Sequence, residues 1–236
     1  MPLHKWLQVV HLLCCSKKGV SSHQIHRLLE VTYKTAWFMT HRLRQAMRTG
    51  TLGPLGGEGK VVEADETYFG SKDVVTKRTI RGKSGLASKR AVVALVERGG
   101  SLRAFHVARA DKANVGAVLR ENVAREATLV TDESRLYHAV GAEFAAHERV
   151  NHSLGEYVRG EAHTNTLEGY FSVFKRGMKG IYQHCREKHL HRYLAEFEFR
   201  HSNRAGVGVG DGERAARALA GAVGKRLTYR QPDLAR

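Results

Sequence analysis

Apolar residues recur at helical spacing through the first fifty positions of the chain. Leu3 to Leu13 is an apolar-rich stretch, and Ser21 with Gln24 fits a capping box that opens a second helix. Thr32 then fits the N-cap of a third helix. The apolar face of that third helix carries Ala36, Met39, Leu43 and Met47. Its opposite face carries Tyr33, Lys34, Thr35, His41, Arg42 and Arg44.

Two short helices joined by a tight turn, the second apolar inside and basic outside, are typical of helix-turn-helix DNA-binding domains. We predict a small all-α domain of this kind over residues 1–48. A generic helical hairpin with a solvated charged face has the same pattern and is the alternative. Residues 49–60 hold five Gly and one Pro in twelve positions, which predicts a linker.

After the linker the pattern changes period. Short apolar runs predict strands over 61–65, 91–96, 102–107, 128–132 and 148–152. Helical spacing predicts helices over 114–125, 134–140, 163–179 and 187–204. Three strands followed by alternating helices and strands predict an α/β domain over 61–204, with a mixed sheet flanked by helices. The remaining residues, 205–236, form a predicted tail with an Ala-rich helical piece from Glu213 to Val223.

The charge balance points to a class of partner. Of 236 residues, 39 are Lys or Arg and 23 are Asp or Glu, which gives a formal net charge of +16. Such a chain is expected to associate with polyanions, nucleic acid first and an anionic membrane surface second. No apolar run approaches the roughly 20 residues that span a bilayer, and we expect no signal peptide. Three Cys, an odd number, argue against a disulfide framework and favour the reducing cytoplasm.

Acidic residues stand where two predicted strands end. Asp65 and Asp132 close their strands, and Glu168 lies in the predicted helix 163–179. A carboxylate at the end of a buried strand is costly unless it faces solvent, a counter-charge or a metal ion. Oxygen ligands of this kind suit Mg²⁺, and two such ions about 3.5–4 Å apart support phosphodiester chemistry. Lys175 follows Glu168 by seven residues, so both lie on one helix face about 20° apart.

These acids also have an ordinary structural interpretation. An aspartate at a strand end is more often a turn former or a helix cap than a metal ligand. The helical glutamate and lysine are then unrelated surface charges. Glu63, Glu66 and Glu133 are competing ligand candidates. Glu63 shares a strand face with Asp65, whereas Glu66 points the other way.

Six motifs in chain order resemble those of a known family. They are Ser21 to Gln24 through Tyr33 to Trp37; Glu63 to Gly70; Thr131 and Asp132 with Tyr137; Val150 to His152 with Glu156 to Val158; His163 to Glu168 with Lys175 to Gly177; and Lys188 to Leu190 with Arg192, Tyr193, Glu196, Phe197 and Arg200. Over about residues 5–204 the chain resembles the ISXO-type, Merlin-related DDE transposases of bacterial insertion sequences. The resemblance implies an RNase H-like catalytic domain that cleaves DNA at the element's ends and transfers strands into target DNA.

The resemblance also implies which residues hold metal. Carried over by position, Asp65 and Asp132 are the two metal-binding aspartates, and Glu168 is the third ligand of Mg²⁺ or Mn²⁺. Between Asp132 and Glu168 lie 35 residues, a spacing typical of insertion-sequence transposases. Family members vary at the third position. Asn165, three residues earlier on the same helix face, is therefore the alternative to Glu168.

Double-stranded DNA is the implied partner, both as terminal inverted repeats and as target. The segment Tyr33 to Arg44 is expected to contact the repeats, and the basic loop 72–90 to hold backbone phosphate. Both ends of the element must be brought together, so a homodimer is expected. The expected location is the cytoplasm, in association with the nucleoid, and no membrane partner is expected. The individual residues predicted to contact DNA are Lys34, Thr35, Arg42, Arg44, Lys175, Arg176, Lys188 and Arg192.

One feature departs from the family pattern. Relatives often carry a zinc ribbon before the helix-turn-helix, and this chain is expected to start too late to include one. Cys14 and Cys15 are adjacent and do not make a CxxC pair. Cys185, beside His184, His189 and His191, is expected in a DNA-facing helix or its core. The alternative functions are a catalytically inactive or truncated transposase-derived DNA-binding protein, and an RNase H-like nuclease or resolvase of another family.

Overall fold

The structure, a computed structural model, describes residues 1–48, 50, 53–71, 85–150 and 164–225. The α-helices in these residues are α1 (Leu3–Cys15), α2 (Ser22–Leu29), α3 (Tyr33–Met47), α4 (Lys112–Asn122), α5 (His138–Gly141), α6 (Asn165–Gly177), α7 (Leu190–Ser202) and α8 (Asp211–Ala220). The strands are β1 (Val61–Phe69), β2 (Arg90–Glu97), β3 (Leu102–Val107), β4 (Thr128–Asp132) and β5 (Ala146–Val150). No helix among these residues is long and apolar enough to cross a membrane.

The chain divides into two compact units. The helical unit comprises Met1–Gly50, Arg176–Cys185 and the chain from Arg192 onwards. The sheet unit comprises Thr51–Lys175 and Arg186–His191. These bounds differ from the predicted ones, which placed residues 61–204 in one domain. The physical reason is that most of α7 packs with the N-terminal helices.

The core of the helical unit draws one face from each of several helices. Val10 of α1, Ile25 of α2 and Met39 of α3 are each at most 1% exposed. Phe199 of α7 and Ala218 of α8 belong to the same core. The Ala-rich C-terminal helix is therefore packed into this unit, and its residues do not form a separate tail.

Local sequence signals set the starts of α2 and α3. The Gln24 N–H donates to the Ser21 hydroxyl at 3.2 Å, and the Ser21 N–H donates to the Gln24 side chain at 3.0 Å, which is the predicted capping box. The Thr35 N–H donates to Thr32 Oγ1 at 3.1 Å and caps α3. Between the two helices Glu30 adopts the left-handed conformation, with φ of 50°, and turns the chain.

The sheet unit is built on five strands in the order β3-β2-β1-β4-β5. β1 pairs antiparallel with β2 and parallel with β4, and β5 is parallel to β4. This confirms the predicted mixed sheet with flanking helices. β1 is four residues longer than predicted, because its ladder with β2 continues to Phe69 opposite Arg90. The acids after Ala64 interrupt the apolar run on which the prediction depended, but they do not interrupt the hydrogen-bonded ladder.

The two faces of β1 meet different helices. Val62 and Ala64 lie in a core that contains Val115 of α4. Because side chains alternate along a strand, the odd-numbered residues point to the opposite face. There the Phe69 ring meets the Phe174 ring of α6 edge-on, with centroids 5.0 Å apart. Helix α6 therefore covers the face of β1 that carries Glu63 and Asp65.

Candidate active site

Asp65 and Asp132 occupy matching positions on neighbouring parallel strands. The register of β1 and β4 pairs Val61 with Thr128 and Glu63 with Val130. Continued by two residues, the same register sets Asp65 beside Asp132. Both residues are partly buried. The fold thus brings together two carboxylates that are far apart in the sequence.

The charge of Glu168, the third predicted acid, also acts on Asp65. Burial, together with the negative charges of Glu66, Asp132 and Glu168, raises the pKa of Asp65 to about 8. The Glu66 backbone N–H, 2.7 Å from Asp65 Oδ1, opposes this shift without outweighing it. The rise is due first to burial and then to the like charges nearby, a combination that is frequent at functional sites. Asp132 and Glu168 thus both bear on the charge of Asp65, Glu168 the less of the two, and we call these three residues the electrostatic cluster.

Helix α6 supplies Glu168 from its first turn. Glu168 is exposed, and the Thr164 hydroxyl donates to its Oε1 at 3.3 Å. Asn165, the alternative third residue, is the exposed first residue of the helix. It carries no charge and so takes no part in the shift at Asp65. Lys175 is partly buried on the same helix, about two turns after Glu168.

Glu66 joins the cluster from the other face of β1. The hydroxyl of Tyr137, which is fully buried, donates to Glu66 Oε2 at 2.6 Å. Burial raises the pKa of Glu66 and the charge of Asp132 adds to the rise, while the Tyr137 hydroxyl opposes it. The same surroundings, burial first and then Glu66, Asp65 and Asp132, raise the pKa of Tyr137.

The other competing ligand candidates are placed differently. Glu63 is 0% exposed, and its carboxylate binds Arg98, Thr166 and the backbone of Leu167. It is therefore not available as a metal ligand. Glu133 follows β4 directly and is partly buried.

The donor chemistry of the cluster fits a hard divalent cation. Carboxylate oxygens are the preferred protein ligands of Mg²⁺. A bound cation would also offset the repulsion that raises the pKa of Asp65. Within the described ranges, no three His, Cys, Asp or Glu side chains are arranged to hold one ion. Mg²⁺ keeps several waters and binds through one or two carboxylates, so a pair of aspartates is a donor set that it can accept.

Comparison with known proteins decides the family. A family model of the ISXO2-like transposase domain matches residues 54–202, more than half of the chain. The chain belongs to the ISXO2-like transposase family. This confirms the resemblance drawn from the motifs. A relative from Halobacterium salinarum, "Uncharacterized protein in transposable element ISH50", is 27% identical over 213 residues, which cover 84% of this chain and 69% of that protein.

Among solved structures, this member of the ISXO2-like family is similar to a chain in the cryo-EM structure of the simian T-cell lymphotropic virus intasome in complex with PP2A regulatory subunit B56 gamma. The identity is 13%, the TM-score is 0.30, and the match covers 75% of this chain and 63%, less than two thirds, of that chain. The mixed sheet itself fits the RNase H-like fold that the family resemblance implies.

Arg44 of this ISXO2-like chain is buried, although the sequence predicted that it contacts DNA. It is 1% exposed, and its Nε donates to Glu196 Oε2 at 2.7 Å. Its guanidinium also lies over the rings of Tyr182 and Tyr193, at 4.9 and 4.1 Å from their centroids. A guanidinium that is buried and paired in this way cannot reach a DNA phosphate. The prediction that Arg44 contacts DNA is wrong for this conformation; Arg44 stabilises the helical unit instead.

Arg192 and His41 were also expected at the surface and are buried. Arg192 is 5% exposed, and one of its guanidinium nitrogens lies 3.4 Å from His41 Nδ1. His41 is 0% exposed. The predicted DNA contact of Arg192 is therefore corrected for the same reason as that of Arg44.

The remaining predicted DNA contacts are at the surface. Lys34, Arg42, Arg176 and Lys188 are exposed, and Thr35 is partly buried beside the cap of α3. The Arg42 guanidinium lies 5.8 Å from the ring centroids of Trp6 and of Phe38. These aromatic contacts hold the cation at the surface of the helical unit.

Most of the predicted basic loop 72–90 lies outside the described residues, because the structure does not describe positions 72–84. Arg90, its last basic residue, lies in β2, is 7% exposed and sits 5.9 Å above the Phe69 ring. Arg90 is thus buried in the sheet unit and is not part of a loop that could hold DNA phosphate. The motif positions 151–158 likewise lie outside the described residues. Cys185 is buried, whereas its neighbour His184 is exposed, so the two do not share one environment.

Proposed function

We propose that this chain is a DNA transposase that cleaves DNA at the ends of an insertion sequence and transfers the freed strand into target DNA. The observation that carries the proposal is the electrostatic cluster of Asp65, Asp132 and Glu168 in a chain of the ISXO2-like transposase family. Asp65 within β1, Asp132 at the end of β4 and Glu168 in the first turn of α6 come from three parts of the sequence. The sheet unit is then the RNase H-like catalytic domain.

In this proposal Asp65 and Asp132 hold a divalent cation, Mg²⁺ or Mn²⁺, and Glu168 completes the set. The cation supplies charge stabilisation for a phosphodiester displacement and activates the attacking oxygen. Lys175, on the same helix as Glu168, offers a positive charge to a DNA phosphate near the carboxylates. Glu168 is the proposed third ligand, and not Asn165, because only Glu168 adds negative charge at Asp65.

Double-stranded DNA is the proposed partner, both as terminal inverted repeats and as target. The exposed Lys34 and Arg42 of α3 are suited to phosphate contacts, and Arg176 and Lys188 add exposed positive charge. The net charge of +16 favours such binding over the whole chain. Because the two ends of an element must be processed together, we propose that the working form is a homodimer.

The test is cleavage of DNA that carries the element's own ends, with Mg²⁺ or Mn²⁺. Asp132→Ala removes one proposed ligand. Glu148→Gln is the matched control, since Glu148 is an exposed acid on the neighbouring strand β5. We expect cleavage by the wild type and by Glu148→Gln, and a loss of at least about a hundredfold with Asp132→Ala. Joining of a labelled end to a target plasmid then separates a transposase from a nuclease that only hydrolyses DNA.

Two results would overturn the proposal. Cleavage that Asp132→Ala leaves intact would exclude the carboxylate cluster as the active site. Salt-sensitive binding of the DNA ends without cleavage in any metal would instead select the alternative, a catalytically inactive, transposase-derived DNA-binding protein.

A further inference from the structure

Glu63 is a fully buried carboxylate that joins three parts of the sheet unit. It is 0% exposed and lies on β1. The Thr166 hydroxyl donates to its Oε1 at 2.9 Å, and the Leu167 N–H donates to its Oε2 at 3.4 Å. Arg98, in the turn between β2 and β3, donates its Nε–H to Oε1 at 3.0 Å. Both carboxylate oxygens are thus engaged, one of them twice.

The contacts with α6 are those of a helix cap supplied from a distant strand. The first four N–H groups of a helix have no partner within the helix. Leu167 is the third residue of α6, so its N–H is one of these groups. A negative charge at this end is also favoured by the helix dipole. Glu63 therefore satisfies the start of α6 both by hydrogen bonding and by charge.

Arg98 makes the buried charge tolerable. A buried carboxylate without a counter-charge would be strongly destabilising. The Arg98 backbone N–H donates to the Val61 carbonyl oxygen at 3.1 Å, which fixes its residue beside β1. Glu63 is consequently paired with Arg98 of the β2–β3 turn and hydrogen-bonded to Thr166 and Leu167 of α6.

We infer that Glu63 is a positioning residue that fixes the first turn of α6 on β1 and thereby the position of Glu168 relative to Asp65. Glu168 directly follows Leu167 in the same helical turn. Asp65 follows Glu63 by two positions and so points to the same face of β1. One side chain thus ties the helix that carries one acid to the strand that carries another. The inference rests on the proposed function for its catalytic consequence, but not for the helix attachment itself.

The attachment is tested in the metal-free full chain by hydrogen exchange with mass spectrometry. The variants are Glu63→Ala, Glu63→Gln and Thr166→Val, and the control is Glu97→Gln. Glu97 is a neighbouring sheet carboxylate that accepts a hydrogen bond from the Gly56 N–H, not from α6. We expect amides 165–168 to exchange at least about tenfold faster in Glu63→Ala, as for one lost hydrogen bond to a charged group. Glu63→Gln, which keeps an acceptor oxygen, and Thr166→Val are expected to lie between this value and the wild type.

Unchanged exchange of amides 165–168 in Glu63→Ala would overturn the inference. So would an equal acceleration in Glu97→Gln, because the effect would then belong to the whole sheet. If Glu63→Ala does not fold, Thr166→Val decides: faster exchange confined to the first turn of α6 supports the inference, and wild-type exchange overturns it.

The catalytic consequence is tested on the cleavage reaction. A positioning role predicts that Glu63→Ala lowers kcat by at least about tenfold with KM for DNA unchanged, and that Glu63→Gln restores part of kcat. A wild-type kcat in Glu63→Ala would overturn the positioning role. If the wild-type protein does not cleave DNA at all, the proposed function fails, while the exchange experiment still decides whether Glu63 fixes α6.

Discussion

The buried ionic cluster of the helical unit offers the sharpest test of what holds that unit together. Glu196 is 0% exposed and receives Arg44 Nε at 2.7 Å and the Tyr182 hydroxyl at 2.5 Å. Arg200, one helical turn later, binds the other side of the same carboxylate. Glu196→Gln would keep the shape of the side chain but leave two buried guanidinium groups without their counter-charge.

Glu196→Gln should strongly lower the free energy of unfolding, because removing one partner of a buried ion pair costs about 3–5 kcal/mol. The matched control is Glu213→Gln. Glu213 and Arg217 form a pair with the same spacing of four residues, but their side chains are 52% and 48% exposed. Exposed pairs of this spacing contribute about 0.3–0.5 kcal/mol. The two variants thus remove the same group at the same helical spacing and differ in burial.

The assay is urea denaturation followed by tryptophan fluorescence. The chain has two tryptophans, Trp6 in α1 and Trp37 in α3, and both lie in the helical unit. Their signal therefore reports on that unit even if the chain does not unfold in one step. With a slope of about 3 kcal/mol per M, Glu196→Gln should lower the midpoint by about 1–1.7 M and Glu213→Gln by less than about 0.2 M. Equal shifts in the two variants would refute the reasoning.

The same cluster has a defined pH dependence. Burial alone would raise the pKa of Glu196, but the charges of Arg200 and Arg44 outweigh it and hold that pKa below the ordinary value of 4.5. A depressed carboxyl pKa contributes stability that is present above the unfolded value and is lost as the pH falls through the folded value. The gap in midpoint between wild type and Glu196→Gln should therefore be constant near neutral pH and shrink once the pH falls below about 4.5. A gap that does not change with acidification would contradict the ionic role.

Two further predictions concern packing and reactivity in the helical unit. Gly177→Ala would place a Cβ 2.6 Å from the Lys18 carbonyl oxygen, whereas Gly180→Ala meets nothing within 4 Å. Overpacking costs about 1–3 kcal/mol, so thermal denaturation should show a lower Tm for Gly177→Ala only, and equal Tm values would contradict the packing. Burial raises the pKa of the Cys14 thiol to about 12, while Cys15 is exposed. Iodoacetamide at about pH 8 should therefore label Cys15 and spare Cys14 in the native protein, and peptide mass spectrometry that finds both labelled alike would count against the burial.

Local chemistry was sufficient to predict several elements from the sequence. β3 and β4 have the predicted bounds, because short apolar runs there are closed by turn residues or by an acid. The capping box at Ser21 needs only residues three apart, and it forms as predicted. The place of Asp65 and Asp132 at one sheet position follows from their equal distance from the starts of two parallel strands, although β1 continues past Asp65 to Phe69. In each case the deciding interaction is short in sequence or repeats along a strand.

Long-range partners account for what the sequence did not predict. Arg44 looked like a surface cation because α3 has a basic face, but its partner Glu196 lies 152 residues away. Glu63 looked like a competing metal ligand, and Thr166, which occupies its carboxylate, lies 103 residues away. No periodicity within one element shows such pairs. The one available signal was that Glu63 shares a strand face with Asp65, which placed it in the right neighbourhood without giving its role.

The burial of Arg44 changes how α3 can meet DNA under the proposed function. With Arg44 and His41 inside, the exposed cations of this helix are Lys34 in its first turn and Arg42 two turns later. Recognition helices contact base edges chiefly with their N-terminal residues. Lys34 stands at that end, whereas Arg42 is held at the surface by aromatic rings and is suited to a backbone phosphate. The basic face predicted from the sequence thus divides by burial into a structural cation in the core and a smaller set of residues that can reach DNA.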